Sequence, residues 1–395
     1  MDSKKFKILA VIALALFVMA GMVHSAYDTW TLEKVDGEKL FPDFDGYADG
    51  IARVMVQKGE TKIAFIKQHD GTWTLADRGA YPVISQKVRE TLGRLATAQL
   101  VEAKTRDPER YDLLDLGDPA RQDANATLVK LSDAEGNLLG EIVIGKQSLS
   151  AFGNGRSGSY VRHPDRPQTW LANIILDVPL DVRNWVEPVF LKLPSDKVKL
   201  IELTDADGQK IKLIPQEQAE PAEPVTGKTE APGGDDTSKD DEAETQILKQ
   251  QPAKFEFAAI PEGKKLKDDV DPTEMVKALE TLELTDVRKA GSVEAPRDAT
   301  SMKARVETKD GIKLDITVLK IGEDERWLSI NVSAEGKDAE AARKIKADVE
   351  GWEFRITSWR SGQIFKTAAE IFDASEEEKK ADETETPDTK ADTTE

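Results

Sequence analysis

One order of local patterns occurs twice along these 395 residues, and that recurrence constrains the fold more than any single motif does. In its first occurrence, alternating apolar stretches at 51–57, 61–67 and 72–76 are separated by the turns Lys58-Gly59-Glu60 and Gln68-His69-Asp70-Gly71, which reads as a three-stranded meander. Pro82 then stands where a helix would open, and Ile84, Val88, Leu92, Leu95 and Gln99-Leu100 recur at spacings of three and four. Strands are expected at 126–131, 138–144, 159–163 and 168–172, the last two joined by the turn Pro164-Asp165-Arg166-Pro167, and a helical stretch at 180–186 closes this half.

The second occurrence begins with strands at 198–203 and 210–214 around the turn Asp205-Ala206-Asp207-Gly208, with a third strand at 254–258. Asp271-Pro272-Thr273 opens a helix carrying Met275, Val276, Leu279, Leu282 and Leu284, and strand patterns follow at 302–307, 312–320, 327–332 and 352–359. The expected fold class is therefore α+β. Two tandem similar modules, 51–195 and 196–373, each combine an antiparallel β meander, one amphipathic helix and further β-hairpins. They follow an N-terminal membrane helix within 1–26 and a connector at 27–50.

Charge is distributed unevenly. Of the formal net charge of −19, residues 215–251 carry −7 and residues 375–395 carry −6. The first stretch falls inside the second-to-third strand turn of the second module, so it reads as a disordered acidic insertion, and 374–395 reads as a disordered acidic tail. The remainder is only mildly acidic and has no basic stripe, which argues against nucleic acid as a partner.

Lys4, Lys5 and Lys7 precede an unbroken apolar run at 8–23. Its length lies between a signal-peptide core and a full span, and the basic flank would stay cytoplasmic. The expectation is an uncleaved single-pass anchor, with a cleaved signal segment as the alternative, and in either case everything after Ala26 on the far side of the membrane.

Much chemistry is excluded outright. With no cysteine there are no disulfides, thiolate metal sites or cysteine nucleophiles, and His24, His69 and His163 lie in three separate contexts. Both His69 and His163 read as solvated turn residues. Gly153-Asn154-Gly155-Arg156-Ser157-Gly158 is a literal GxGxxG, but it leads into a strand rather than a helix and reads as a hairpin loop. The tryptophans, Trp73, Trp170, Trp185, Trp327, Trp352 and Trp359 among them, read as core packing within strands. No catalytic, cofactor-binding or metal-binding residue is assigned.

Asp70-Gly71-Thr72-Trp73-Thr74-Leu75, the helix end Leu92-Gly93-Arg94-Leu95, and Ser159-Tyr160-Val161-Arg162-His163-Pro164 followed by Gln168-Thr169-Trp170-Leu171 resemble the bacterial domain of unknown function (DUF) 4340 family, over residues 51–372. The resemblance implies a single-pass protein of the bacterial inner membrane, its C-terminal body periplasmic, with the membrane and ABC-type transporter subunits as partners. It carries no catalytic residue over. The function expected is a non-enzymatic accessory or binding component of an envelope assembly, with a hydrolase acting on envelope glycans and a structural adaptor as the alternatives.

Overall fold

The computed structural model describes residues 37–152, 156–216, 253–334 and 339–373. The chain divides between Glu187 and Pro188 into two compact units.

In the first unit, ten strands form one antiparallel sheet: β1 (Glu38–Lys39), β2 (Arg53–Lys58), β3 (Thr61–Lys67), β4 (Trp73–Leu75), β5 (Tyr81–Pro82), β6 (Gln99–Ala103), β7 (Thr127–Ser132), β8 (Leu138–Ser148), β9 (Gly158–Arg162) and β10 (Thr169–Ala172). Across the sheet they run β1-β6-β10-β9-β8-β7-β2-β3-β4-β5. Alternation along the strands selects the buried face. Val54 and Val56 of β2 lie opposite Phe65 and Ile63 of β3 and opposite Leu131 and Val129 of β7, and all six are buried. Two helices accompany the sheet, the single turn α1 (Phe44–Tyr47) and α2 (Ser85–Thr97), which buries Val88 and Leu95. Trp185 packs on Phe65 with ring centroids 4.6 Å apart, held by a short 3-10 turn, Val182–Asn184, rather than by the α-helical stretch expected at 180–186.

The opposite face of this sheet is partly covered. Residues 104–126 fold back over it, and Tyr111, Leu116 and Ala126 pack on Val143 to make a second, smaller core. Arg162 fastens the flap. Its guanidinium stacks over the Tyr111 ring at 4.7 Å, and its Nη2 donates to the Leu116 carbonyl at 3.3 Å.

The second unit is built from β11 (Val189–Lys192), β12 (Val198–Thr204), β13 (Lys210–Pro215), β14 (Phe255–Phe257), β15 (Thr281–Glu283), β16 (Asp286–Lys289), β17 (Thr300–Thr308), β18 (Ile312–Ile321), β19 (Glu325–Ala334) and β20 (Trp352–Ile356). Eight form an antiparallel sheet in the order β14-β13-β12-β17-β18-β19-β20-β16, and β11 pairs with β15 separately. The helices are α3 (Pro272–Leu279), α4 (Ala339–Val349), α5 (Ser358–Ile364) and α6 (Ala368–Ile371). Pro272 occupies the first turn of α3, whose cap Asp271 accepts the Thr273 N–H at 2.8 Å. The solvated face of the sheet carries cross-strand charge pairs, among them Lys210–Glu202 at 2.9 Å and Arg305–Asp315 at 2.7 Å.

The two sheets share one strand order. Reading β4-β3-β2-β7-β8-β9-β10-β6 in the first unit against β14-β13-β12-β17-β18-β19-β20-β16 in the second, every strand meets a counterpart of the same rank in the chain. Individual hydrogen bonds repeat as well. Trp73 N–H donates to Ser85 Oγ at 2.9 Å and Phe255 N–H to Thr273 Oγ1 at 3.1 Å, each joining the third meander strand to the start of the helix. Leu40 N–H donates to the Ala98 carbonyl at 2.8 Å and Leu193 N–H to the Glu280 carbonyl at 2.9 Å, so the chain entering each unit is tied to the end of its helix. By this correspondence, β11 beside β15 is the counterpart of β1 beside β6. Each unit therefore begins before its meander. Leu40, Phe41 and Phe44 are buried in the first unit, although residues 27–50 read as a connector, and residues 188–195 belong with the second unit.

Other expectations need correction. Among the described residues no helix is long and apolar enough to cross a membrane. The longest α-helix among the described residues, α2, has 13 residues including Lys87, Arg89, Glu90 and Arg94, against the ~20 apolar residues a span requires. Against the expected membrane helix, and the single-pass, inner-membrane, periplasmic placement drawn from it, stands the finding that no helix of the described fold is a membrane span. The 8–23 run on which these expectations rested lies outside the described residues. Pro82 belongs to β5, not to the helix, which starts three residues later. Trp359 sits on α5 and is 66% exposed, because the last strand stops at Ile356. Helix α4 is a further element, whose apolar stripe is only Ala342, Ile345 and Val349. The acidic insertion, from residue 217, and the tail lie outside the described residues, as do Gly153, Asn154 and Gly155.

Candidate functional site

The segment that enters the first unit shapes one of its surface concavities. After β1, residues 40–47 cross the ends of β8 and β9, and α1 turns them toward β2. A groove of about 450 Å³ lies along this segment. Leu40, Phe41, Leu100 and Leu139 supply its apolar lining, and Leu138, 52% exposed, stands on its rim. Glu38, Lys39, Asp43, Asp165 and Arg166 supply its charges. Lys39 is already paired with Asp45 at 2.9 Å, and Arg166 lies 3.9 Å from Asp165. Glu38 and Asp43 have no ion-pair partner among the described residues, so the rim presents net negative charge.

His163 fixes the shape of this groove. Its Nε2 lies 3.1 Å from the Leu40 carbonyl oxygen and its Nδ1 lies 3.3 Å from the Glu141 carbonyl oxygen, so one ring joins the entering segment to β8. Phe41 meets the ring edge-on with centroids 5.8 Å apart. Burial, then the neighbouring Arg166 charge, holds the imidazole below its ordinary pKa against the opposing pull of the two carbonyls. His163 is thus a half-buried structural ring rather than the solvated turn residue expected, whereas His69 is exposed in its turn. His24 lies outside the described residues. Burial and the nearby Asp43 charge also raise the Tyr47 phenol above its ordinary pKa.

Gly140 makes the seat possible. A Cβ there would lie 2.9 Å from Phe41 Cε1 and 3.3 Å from Tyr47 Oη, so only glycine lets both rings approach β8.

A second cleft, of about 580 Å³, lies under the 104–126 flap. Several of its charges are already paired: Arg121 with Asp112 at 3.1 Å and with Asp123 at 2.9 Å, and Lys130 with Glu141 at 3.1 Å. A ligand there would have to displace existing pairs. The groove beside β1 also holds ion pairs, Lys39–Asp45 and Arg166–Asp165, but Glu38 and Asp43 on its rim stand outside them. Among the described residues no group of three His, Cys, Asp or Glu is placed to hold a metal ion.

The family described as Domain of unknown function (DUF4340) matches residues 73–304, more than half of the chain. The chain belongs to the DUF4340 family. No curated protein and no solved structure matches it. The DUF4340 match is shorter than the 51–372 span expected, running from β4 to β17. It does not restore the membrane attachment: the described fold has no spanning helix, and nothing in the match supports an ABC-type transporter partner.

The residues that carried the DUF4340 resemblance take structural roles in the fold. Asp70 accepts from both the N–H and the hydroxyl of Thr72, at 2.9 and 2.6 Å, closing the meander turn. Along β9 the side chains divide by face: Ser159 and Val161 enter the core, where Ser159 Oγ accepts the Leu176 N–H at 2.9 Å. Tyr160 and Arg162 hold the flap. Thr169 accepts the Thr105 N–H at 2.9 Å and donates to the Thr105 carbonyl at 3.0 Å, anchoring the start of the flap. The motif is a clamp around one strand, with His163 at its end.

Proposed function

We propose that this DUF4340 chain is a non-enzymatic binding component of a protein assembly, and that the groove beside β1 holds a segment of the partner polypeptide. The observation that supports this reading is the groove's make-up. An apolar lining lies within a charged rim along a strand with no neighbour on its outer side among the described residues. Apolar lining offers a partner's side chains removal from water, worth ~25 cal/mol per Å². The rim charges supply orientation, and an open strand edge offers main-chain hydrogen bonds. A small metabolite would instead be best held by a concavity that encloses most of its surface.

The test is a selection of displayed random peptides on the full chain, with counter-selection on its Leu138→Asp variant. Peptides that bind the wild-type chain and lose at least tenfold in affinity for the variant support the reading. A selection that returns only binders indifferent to Leu138→Asp overturns it.

A further inference from the structure

The second unit carries its own answer to what such a groove accepts. There the connection from β19 to β20 is α4, which packs on β19 and on β11. In the first unit the corresponding connection, from β9 to β10, is only the turn at 163–168. Three of its residues, His163, Asp165 and Arg166, line the groove beside β1, the counterpart of β11. Where one unit places a helix against its entering strand, the other has open space bounded by the equivalent strand and the equivalent connection.

We infer that the groove of the first unit receives an amphipathic helix of a partner protein in the manner of α4, with small or branched apolar residues facing in and basic residues at the rim. This rests on the proposed binding function and specifies its ligand. In α4, Ala342 and Val349 are buried and Ile345 is half-buried, a stripe at spacings of three and four, while Arg343, Lys344 and Lys346 are exposed together with Glu340, Asp348 and the adjacent Glu350, so it is the three basic residues of a mixed polar face that would meet an acidic rim. Basic residues flanking such a stripe would face Glu38, Asp43 and Asp165. Opposite charge at the rim selects and orients the partner more than it adds affinity.

The probe is a labelled synthetic peptide of residues 339–350, titrated by fluorescence anisotropy against the full chain, whose own α4 already fills the position in the second unit. Saturable binding is expected, weakened at least tenfold by Glu38→Lys with Asp43→Lys, and abolished when the peptide carries Ala342→Asp and Val349→Asp. A scrambled peptide of the same composition should not bind. Equal binding of the scrambled peptide, or affinity unchanged by the charge reversals, overturns the inference. If displayed peptides occupy the groove without a helical apolar stripe and the α4 peptide fails, the helical ligand falls while the binding function stands. If neither binds, both fall. Displacement of the probe by a peptide of residues 27–36, or self-association of the chain that Leu138→Asp abolishes, would place a segment of this same protein in the groove and overturn the partner.

Discussion

The Nε2 atom of His163 lies 3.1 Å from the carbonyl oxygen of Leu40, a residue 123 positions earlier in the chain. The other ring nitrogen faces the Glu141 carbonyl, so a neutral ring, with one N–H, donates to only one of the two. An imidazolium would satisfy both, yet burial and Arg166 hold the folded-state pKa below the usual ~6.5. The unfolded chain therefore takes up the proton first as pH falls. The contribution of this ring to stability is complete above about pH 6.5 and is lost as pH falls toward the lowered folded value. Thermal unfolding followed at pH 7.5 and pH 5.5 should show a fall in midpoint that is smaller in His163→Gln. An identical fall in both proteins would remove the linkage.

Gly140→Val should destabilise the first unit by about 1–3 kcal/mol, because the added carbons enter space held by Phe41 and Tyr47. Gly46→Ala is the control, since nothing lies within 4 Å of its Cβ position. Chemical denaturation separates the two, and comparable losses in both would contradict the packing of Phe41 on β8.

Gly93 lies exposed within α2, where a side-chain methyl would meet open space. Gly93→Ala should raise stability by ~0.4–1 kcal/mol through helix propensity and the smaller entropy of the unfolded chain. A lower unfolding midpoint would mean that this position is not an unobstructed helix interior.

Arg162→Met keeps much of the side-chain volume but loses the bonds to the Leu116 carbonyl and the charge over Tyr111. Faster amide exchange is expected across the 104–126 flap, with β2 and β3 unchanged. Exchange that rises equally throughout the first unit would instead make Arg162 part of its global stability.

The sheets were legible wherever an alternating stretch had a turn at each end. The β2–β3 and β12–β13 hairpins are of this kind, with Gly59 and Gly208 in positive φ at their turns. The entry segments were not. Glu38–Lys39 is two polar residues, and what makes it a strand is Leu100 in register with Glu38, a partner 62 positions away with no local signature. His163 was misread for the same reason: its environment comes from residues 40 and 141, which periodicity around residue 163 does not report. Helix α4 lacked a strong stripe because its packing surface is only Ala342, Ile345 and Val349. The candidate groove is built from the first two of these features, the entry segment and His163, so it was the least visible part of the first unit.

Hydrogen–deuterium exchange on the full chain, with and without a peptide selected for binding, tests the groove most directly. Binding in the groove predicts added protection across residues 38–47 and 138–141, with the solvated face of the second unit unchanged. Protection confined to the 104–126 flap or to the second unit, with residues 38–47 unaffected at saturating peptide, would contradict it.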